Sequence, residues 1–132
     1  MSFADLVTAL AHEADYGVVV TDGRIDDDGP YITYANPAFE RMTGFSLREM
    51  LGQSPKMFQG PQTSAAARAD MRKALRAGKP HETTLLNYRK SGETYRCAIQ
   101  IFPILDADHR LVGAVAIERE APRTRGRPKQ RD

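Results

Sequence analysis

The chain has 132 residues, 41% of them hydrophobic and 27% charged, with a net charge of +2, a balance that fits one ordinary domain with short extensions and a real core. A single cysteine, Cys97, and three dispersed histidines, His12, His81 and His109, exclude an internal disulfide and argue against a zinc site. No apolar run approaches a membrane span and the N-terminus lacks a basic-then-apolar signal pattern, so the sequence reads as a cytoplasmic protein without a membrane segment.

In chain order, residues 1–14 place Phe3, Leu6, Val7 and Leu10 on one stripe of an amphipathic helix that Ser2 is positioned to cap. That stripe needs a partner, either its own domain or a second subunit. Val18-Val19-Val20-Thr21 and Tyr31-Ile32-Thr33-Tyr34-Ala35 read as two strands of an antiparallel hairpin, joined through the turn cluster Asp26-Asp27-Asp28-Gly29-Pro30. The acidic run lacks the alternating ligand spacing and downstream Glu of a calcium loop, so it reads as a solvated turn.

Asn36 caps a short helix with Pro37 at its first position and Gly44 at its end. Ser46-Leu47-Arg48-Glu49 has capping-box spacing and opens a second short helix that Gly52 closes. After Pro61, Thr63 or Ser64 caps a longer helix with Ala67, Met71, Ala74 and Leu75 on its apolar face and Arg68, Arg72, Lys73 and Arg76 on the other. A charged helix face reads first as solvated, which is the expectation for Arg68, Lys73 and Arg76. Three strands follow over His81–Arg89, Thr94–Leu105 and Leu111–Glu118. Their alternation puts Leu85 and Asn87, then Tyr95, Cys97, Ile99 and Ile101, then Ala114, Ala116 and Glu118 on one face, and leaves Leu86, Tyr88, Ala98 and Phe102 on the other. The pattern predicts an α+β fold, a five-stranded antiparallel sheet with short helices on one face and the amphipathic helix at the N-terminus. It divides the chain into that helix (1–14), the domain (15–120) and a basic tail (121–132) that reads as disordered.

Two stretches carry a family resemblance. Gly52-Gln53-Ser54-Pro55-Lys56-Met57-Phe58-Gln59-Gly60-Pro61 resembles the flavin-cradling segment G-x-N-C-R-F-L-Q-G-P of the light-oxygen-voltage (LOV) class of PAS sensor domains. Ile32 through Ser46 and Leu85 through Gly92 are similar to the same class, so the likeness covers about residues 16 to 119. It implies the PAS fold, a sensory and signalling role, and FMN as cofactor. Position by position, it implies Lys56 and Arg72 at the flavin phosphate, and Gln59, Asn87, Cys97 and Glu118 around the ring. Lys56 stands where the family has Arg, Ser54 and Cys97 where it has Asn, and Glu118 where it has Gln. A thiol hydrogen-bonds weakly, and Lys lacks the planar fork of Arg, so these changes weaken the flavin site. Glu118 either stays protonated and donates to the ligand or turns to solvent at the strand end.

Pro55 stands at the position of the cysteine that attacks the flavin, and proline has no nucleophile. The resemblance therefore implies a LOV-like domain that forms no cysteinyl–flavin bond. No catalytic motif is visible, so the chain reads as a non-enzymatic module that signals through a homodimer or a partner protein. The alternative lies in the tail, where Arg125-Gly126-Arg127-Pro128-Lys129 resembles the core of an AT-hook. Arg125, Arg127 and Lys129 would then follow the minor groove of A·T-rich DNA, with the domain as dimeriser.

Overall fold

The computed structural model describes residues 1–26 and 28–122. Helix boundaries fall where side chains satisfy the open N–H groups of the first turn. Ser2 Oγ accepts from Asp5 N at 3.1 Å and Asp5 Oδ2 accepts from Ser2 N at 3.0 Å, which starts α1 (Phe3–Ala11). Asn36 starts α2 (Pro37–Thr43), which Gly44 ends at φ 82°. The Ser46–Glu49 capping box starts α3 (Leu47–Met50). A 3₁₀ helix, Pro55–Phe58, opens at Pro55 behind the extended residue Ser54, whose Oγ accepts from Lys56 N at 3.2 Å. Between the two candidate caps of α4 (Ala65–Arg76), Ser64 accepts from Ala67 N at 3.1 Å. Thr63 is buried instead, and donates to Leu86 O at 2.7 Å.

The strands are β1 (Gly17–Asp22), β2 (Ile32–Ala35), β3 (His81–Tyr88), β4 (Thr94–Leu105) and β5 (Leu111–Glu120), all antiparallel, in the order β2-β1-β5-β4-β3. The last strand thus fills the centre, pairing Gly17 with Glu118 on one side and Ile99 with Glu118 on the other. Leu85, Asn87, Tyr95, Cys97, Ile99, Ala114, Ala116 and Glu118 are all buried, so the inner face follows the period-two alternation of the sequence. Against it pack Phe39 and Phe58, whose rings meet edge to face at 5.3 Å.

Asn36 is the joint between elements. Its Oδ1 accepts from Val18 N at 2.9 Å and Phe39 N at 3.1 Å, while its Nδ2 donates to Ala11 O and Tyr16 O, both at 2.9 Å. One buried amide therefore ties the end of α1, the start of β1 and the cap of α2 together. The rest of α1 is less engaged: Phe3, Leu6 and Leu10 are 54%, 44% and 74% exposed, so the apolar stripe is not consumed by its own domain.

Two side chains depart from the expected outer face. Tyr88, on the edge strand β3, curls under the loop after the 3₁₀ helix, where its hydroxyl accepts from Gln62 N at 3.0 Å. Its ring lies so close to Gly60 that a Cβ there would come within 2.5 Å of it. Leu86 is half-buried as the same loop ties down along the edge through Thr63. An edge strand offers free backbone groups, and covering them with a loop is a common solution; alternation alone does not report it. Among the described residues, no helix is long and apolar enough to cross a membrane.

Candidate functional site

Sheet, 3₁₀ helix, α4 and the loop between β1 and β2 enclose a cavity of about 320 Å³. Its apolar walls come from Val19, Phe58, Met71, Leu75, Leu85 and Ile99. Three polar side chains of the sheet, Thr21, Asn87 and Glu118, line its buried part, while Lys56, Arg68 and Arg72 line it toward solvent, with Pro55 and Gln59 between. The cavity is thus polarised, with hydrogen-bonding groups inside and three cations outside.

Asn87 Oδ1 and Thr21 Oγ1 are buried and accept or donate no hydrogen bond to the described residues. Burying an amide oxygen without a partner costs about 1–3 kcal/mol, and both residues line the cavity. The cavity wall thus contains two residues with unused hydrogen-bonding capacity. Glu118 is 8% exposed rather than turned to solvent. Burial pushes its carboxyl up to about 7, with the Cys97 hydrogen bond opposing the shift. Near neutral pH the group is divided between an acid that can donate and a carboxylate that can only accept.

The expected residues sort into two groups. Lys56, Gln59, Arg72, Asn87 and Glu118 all line the cavity. Cys97 does not: it is wholly buried in the sheet behind Glu118, with Sγ 3.1 Å from Glu118 Oε1. Burial and the adjacent Glu118 push the thiol well above the ordinary cysteine range. Tyr95 beside it is likewise raised, by burial first and then by the charges of Cys97 and Glu118.

The cations are already engaged to different degrees. Arg72 donates to Ile25 O and to Gly29 O, the latter at 3.3 Å, so it clamps α4 to the loop after β1. Lys56 Nζ lies 3.6 Å from Asp28 Oδ1, and Arg76 Nη2 lies 2.8 Å from Asp26 Oδ1. The Asp26 and Asp28 side chains are 72% and 95% exposed, so the turn is solvated as expected, and these pairs add only weak surface links to α4 and the 3₁₀ helix. Arg68 is exposed, as expected of that helix face, but it also lines the cavity, and its Nη1 reaches Gln59 Oε1 at 3.5 Å. Its spacing of one helical turn from Arg72 was the available signal. Arg125, Arg127 and Lys129, and the disordered character expected of residues 123–132, lie outside the described residues.

Residues 15–120 match the PAS domain family. The chain belongs to that family. Among curated relatives, this PAS domain is 33% identical over 107 residues to Protein TWIN LOV 1 of Arabidopsis thaliana, covering 80% of the chain and 26% of the relative. It is 38% identical over 95 residues to a blue-light-activated histidine kinase of Rhizobium johnstonii, covering 72% and 27%. A nitrogen fixation regulatory protein of Klebsiella pneumoniae is 32% identical over 115 residues, at 87% and 22% coverage. The chain therefore spans about a quarter of the length of these relatives. Among solved structures, the LOV domain of the Erythrobacter litoralis EL346 blue-light activated histidine kinase superposes with a TM-score of 0.76 at 29% identity, covering 84% of this chain and all of that one. The light state of the Aureochrome1 LOV domain gives a TM-score of 0.74 at 31% identity, covering 89% of each chain. The PAS domain is thus of the LOV type.

Proposed function

We propose that this PAS domain is a flavin-binding sensory module that responds without a covalent cysteinyl–flavin bond. The observation that carries the reading is a polarised cavity lined by Asn87, a buried amide whose Oδ1 has no hydrogen-bonding partner among the described residues. A flavin has a flat apolar ring, a polar edge that needs both donors and acceptors, and, as FMN, an anionic end. Asn87 and protonated Glu118 fit the edge, Leu85, Ile99 and Phe58 fit the ring faces, and Lys56, Arg68 and Arg72 fit the phosphate. When bound, the flavin would supply light absorption and electron acceptance. The chain's own residues orient it, exclude water and hold or release the Glu118 proton.

Support for the absence of a covalent step comes from two side chains. Pro55, the first residue of the 3₁₀ helix, lines the cavity with no atom able to attack. The only thiol of the chain, Cys97, is fully buried, held on Glu118 and outside the cavity lining. Signalling would then draw on electrons given to the bound flavin by an external reductant, in the dark or under light, with the change relayed through β5 to a homodimer or a partner protein. The exposed Phe3, Leu6 and Leu10 of α1 support such an interface.

The test is retention of FMN after gel filtration by the wild type and by Asn87→Leu, with circular dichroism to confirm the fold. The reading expects stoichiometric flavin on the wild type and at least about tenfold weaker binding in the variant, from the loss of a buried hydrogen bond. A wild type that keeps no flavin contradicts it.

A further inference from the structure

We propose that Glu118 is an internal proton donor to the flavin when the ring is reduced, with Cys97 holding the carboxylate left behind; this rests on the reading of the cavity as a flavin site. An electron placed on a ring in an apolar cavity creates a charge that burial penalises, and a proton from the wall removes it. In the buried part of that wall stand Thr21, Asn87 and Glu118. A hydroxyl and an amide do not give up a proton near neutral pH, so among these residues the carboxyl is the source. At the open side the guanidinium groups of Arg68 and Arg72 keep their protons, and Lys56 is exposed, with Asp28 3.6 Å away.

Cys97 supplies the second half. Its Sγ lies 3.1 Å from Glu118 Oε1, and burial, then the charge of Glu118, pushes the thiol so far up that it keeps its own proton. The S–H group is therefore a donor to the carboxylate, and it favours the charged form against the burial that holds Glu118 up to about 7. Tyr95, also raised by burial, keeps its proton as well. Glu120, two residues further along β5, is half-exposed and bonded to Arg89 Nη2 at 2.9 Å. Arg89 also bonds Glu93 and Met42 O and lies over the Tyr95 ring at 4.2 Å, so its charge is spent there. The step needs an external low-potential one-electron reductant. One electron enters the ring, the O–H bond of Glu118 breaks, an N–H bond forms on the ring, and the carboxylate stays on the thiol.

The protonated and unprotonated forms of the one-electron-reduced ring differ in colour, since only the protonated form absorbs toward the red. Wild type, Glu118→Gln and Cys97→Ala, each saturated with FMN, would be reduced by one electron with illuminated EDTA without oxygen, across a pH series from about 5 to about 9 that brackets the Glu118 value. The wild type should give the protonated form at the acid end and cross over to the unprotonated form as pH rises. Glu118→Gln should give the unprotonated form throughout. Cys97→Ala, which removes the donor to the carboxylate, should move the crossover to higher pH. Should Glu118→Gln fail to hold FMN, the wild-type crossover and its displacement in Cys97→Ala decide the matter. A wild type without a crossover, a crossover that Cys97→Ala leaves in place, or a Glu118→Gln profile equal to the wild type overturns the proposal while leaving the flavin reading intact. A wild type that binds no FMN overturns both.

Discussion

Cys97 Sγ and Glu118 Oε1 lie 3.1 Å apart across β4 and β5, and the thiol is the only hydrogen-bonding partner of that carboxyl among the described residues. Among the described residues no cation is bonded to Glu118, so burial prevails and its proton is held up to about 7. A free carboxyl in the unfolded chain loses its proton near 4.5. The folded state therefore binds the extra proton between those two values. Stability is full below about pH 4.5, falls as pH rises toward 7, and levels off above it. The loss is on the order of 3 kcal/mol. Denaturant midpoints across pH 5 to 8 check this: Glu118→Gln should flatten the slope, and a wild-type slope unchanged by that substitution contradicts the assignment.

The same pair predicts an unreactive thiol. Wholly buried, and raised by burial and by Glu118, Cys97 should react with a thiol reagent only as fast as the domain opens. Labelling that proceeds at native rates independent of denaturant, faster than unfolding, would show an access route to the sheet interior.

Asn36 should be the most sensitive polar side chain in the core. Asn36→Ala removes four hydrogen bonds at once and takes that partner from Val18 N, Ala11 O and Tyr16 O, while Phe39 N keeps its bond to the residue 36 carbonyl. A loss of about 3 kcal/mol or more is expected from chemical denaturation. The substitution should also release α1, seen as faster amide exchange and proteolysis within residues 3–11.

Gly60 and Tyr88 should be coupled. A Cβ at residue 60 meets the Tyr88 ring at 2.5 Å, so Gly60→Ala should destabilise by about 1–3 kcal/mol. In Tyr88→Ala the obstacle is gone, and adding Gly60→Ala should then cost little; equal costs in both backgrounds would contradict the contact.

Much of this arrangement is legible in the sequence because it is set by local rules. Asn36-Pro37, Ser46 with Glu49, and Ser54-Pro55 start helices by the chemistry of their own side chains. Strict alternation fixes which faces of β3, β4 and β5 carry Asn87, Cys97 and Glu118. What escapes is set by partners distant in sequence. Tyr88 folds under a loop 26 residues away, Arg72 reaches carbonyls 47 and 43 residues earlier, and Cys97 is screened from the cavity by Glu118. Arg68 was hidden for another reason: a solvated arginine and a cavity-lining arginine look alike until the wall opposite is in place.

On the proposed function, this PAS domain holds flavin and responds without a bond to sulfur. The direct test is the absorption spectrum of the FMN-loaded protein, taken before, during and after blue illumination with no electron donor present. The expected spectrum is the structured blue band of bound oxidised flavin, persisting under illumination and lost only when a reductant is added. Reversible bleaching without a donor, recovering in the dark and unchanged by Cys97→Ala, would contradict it.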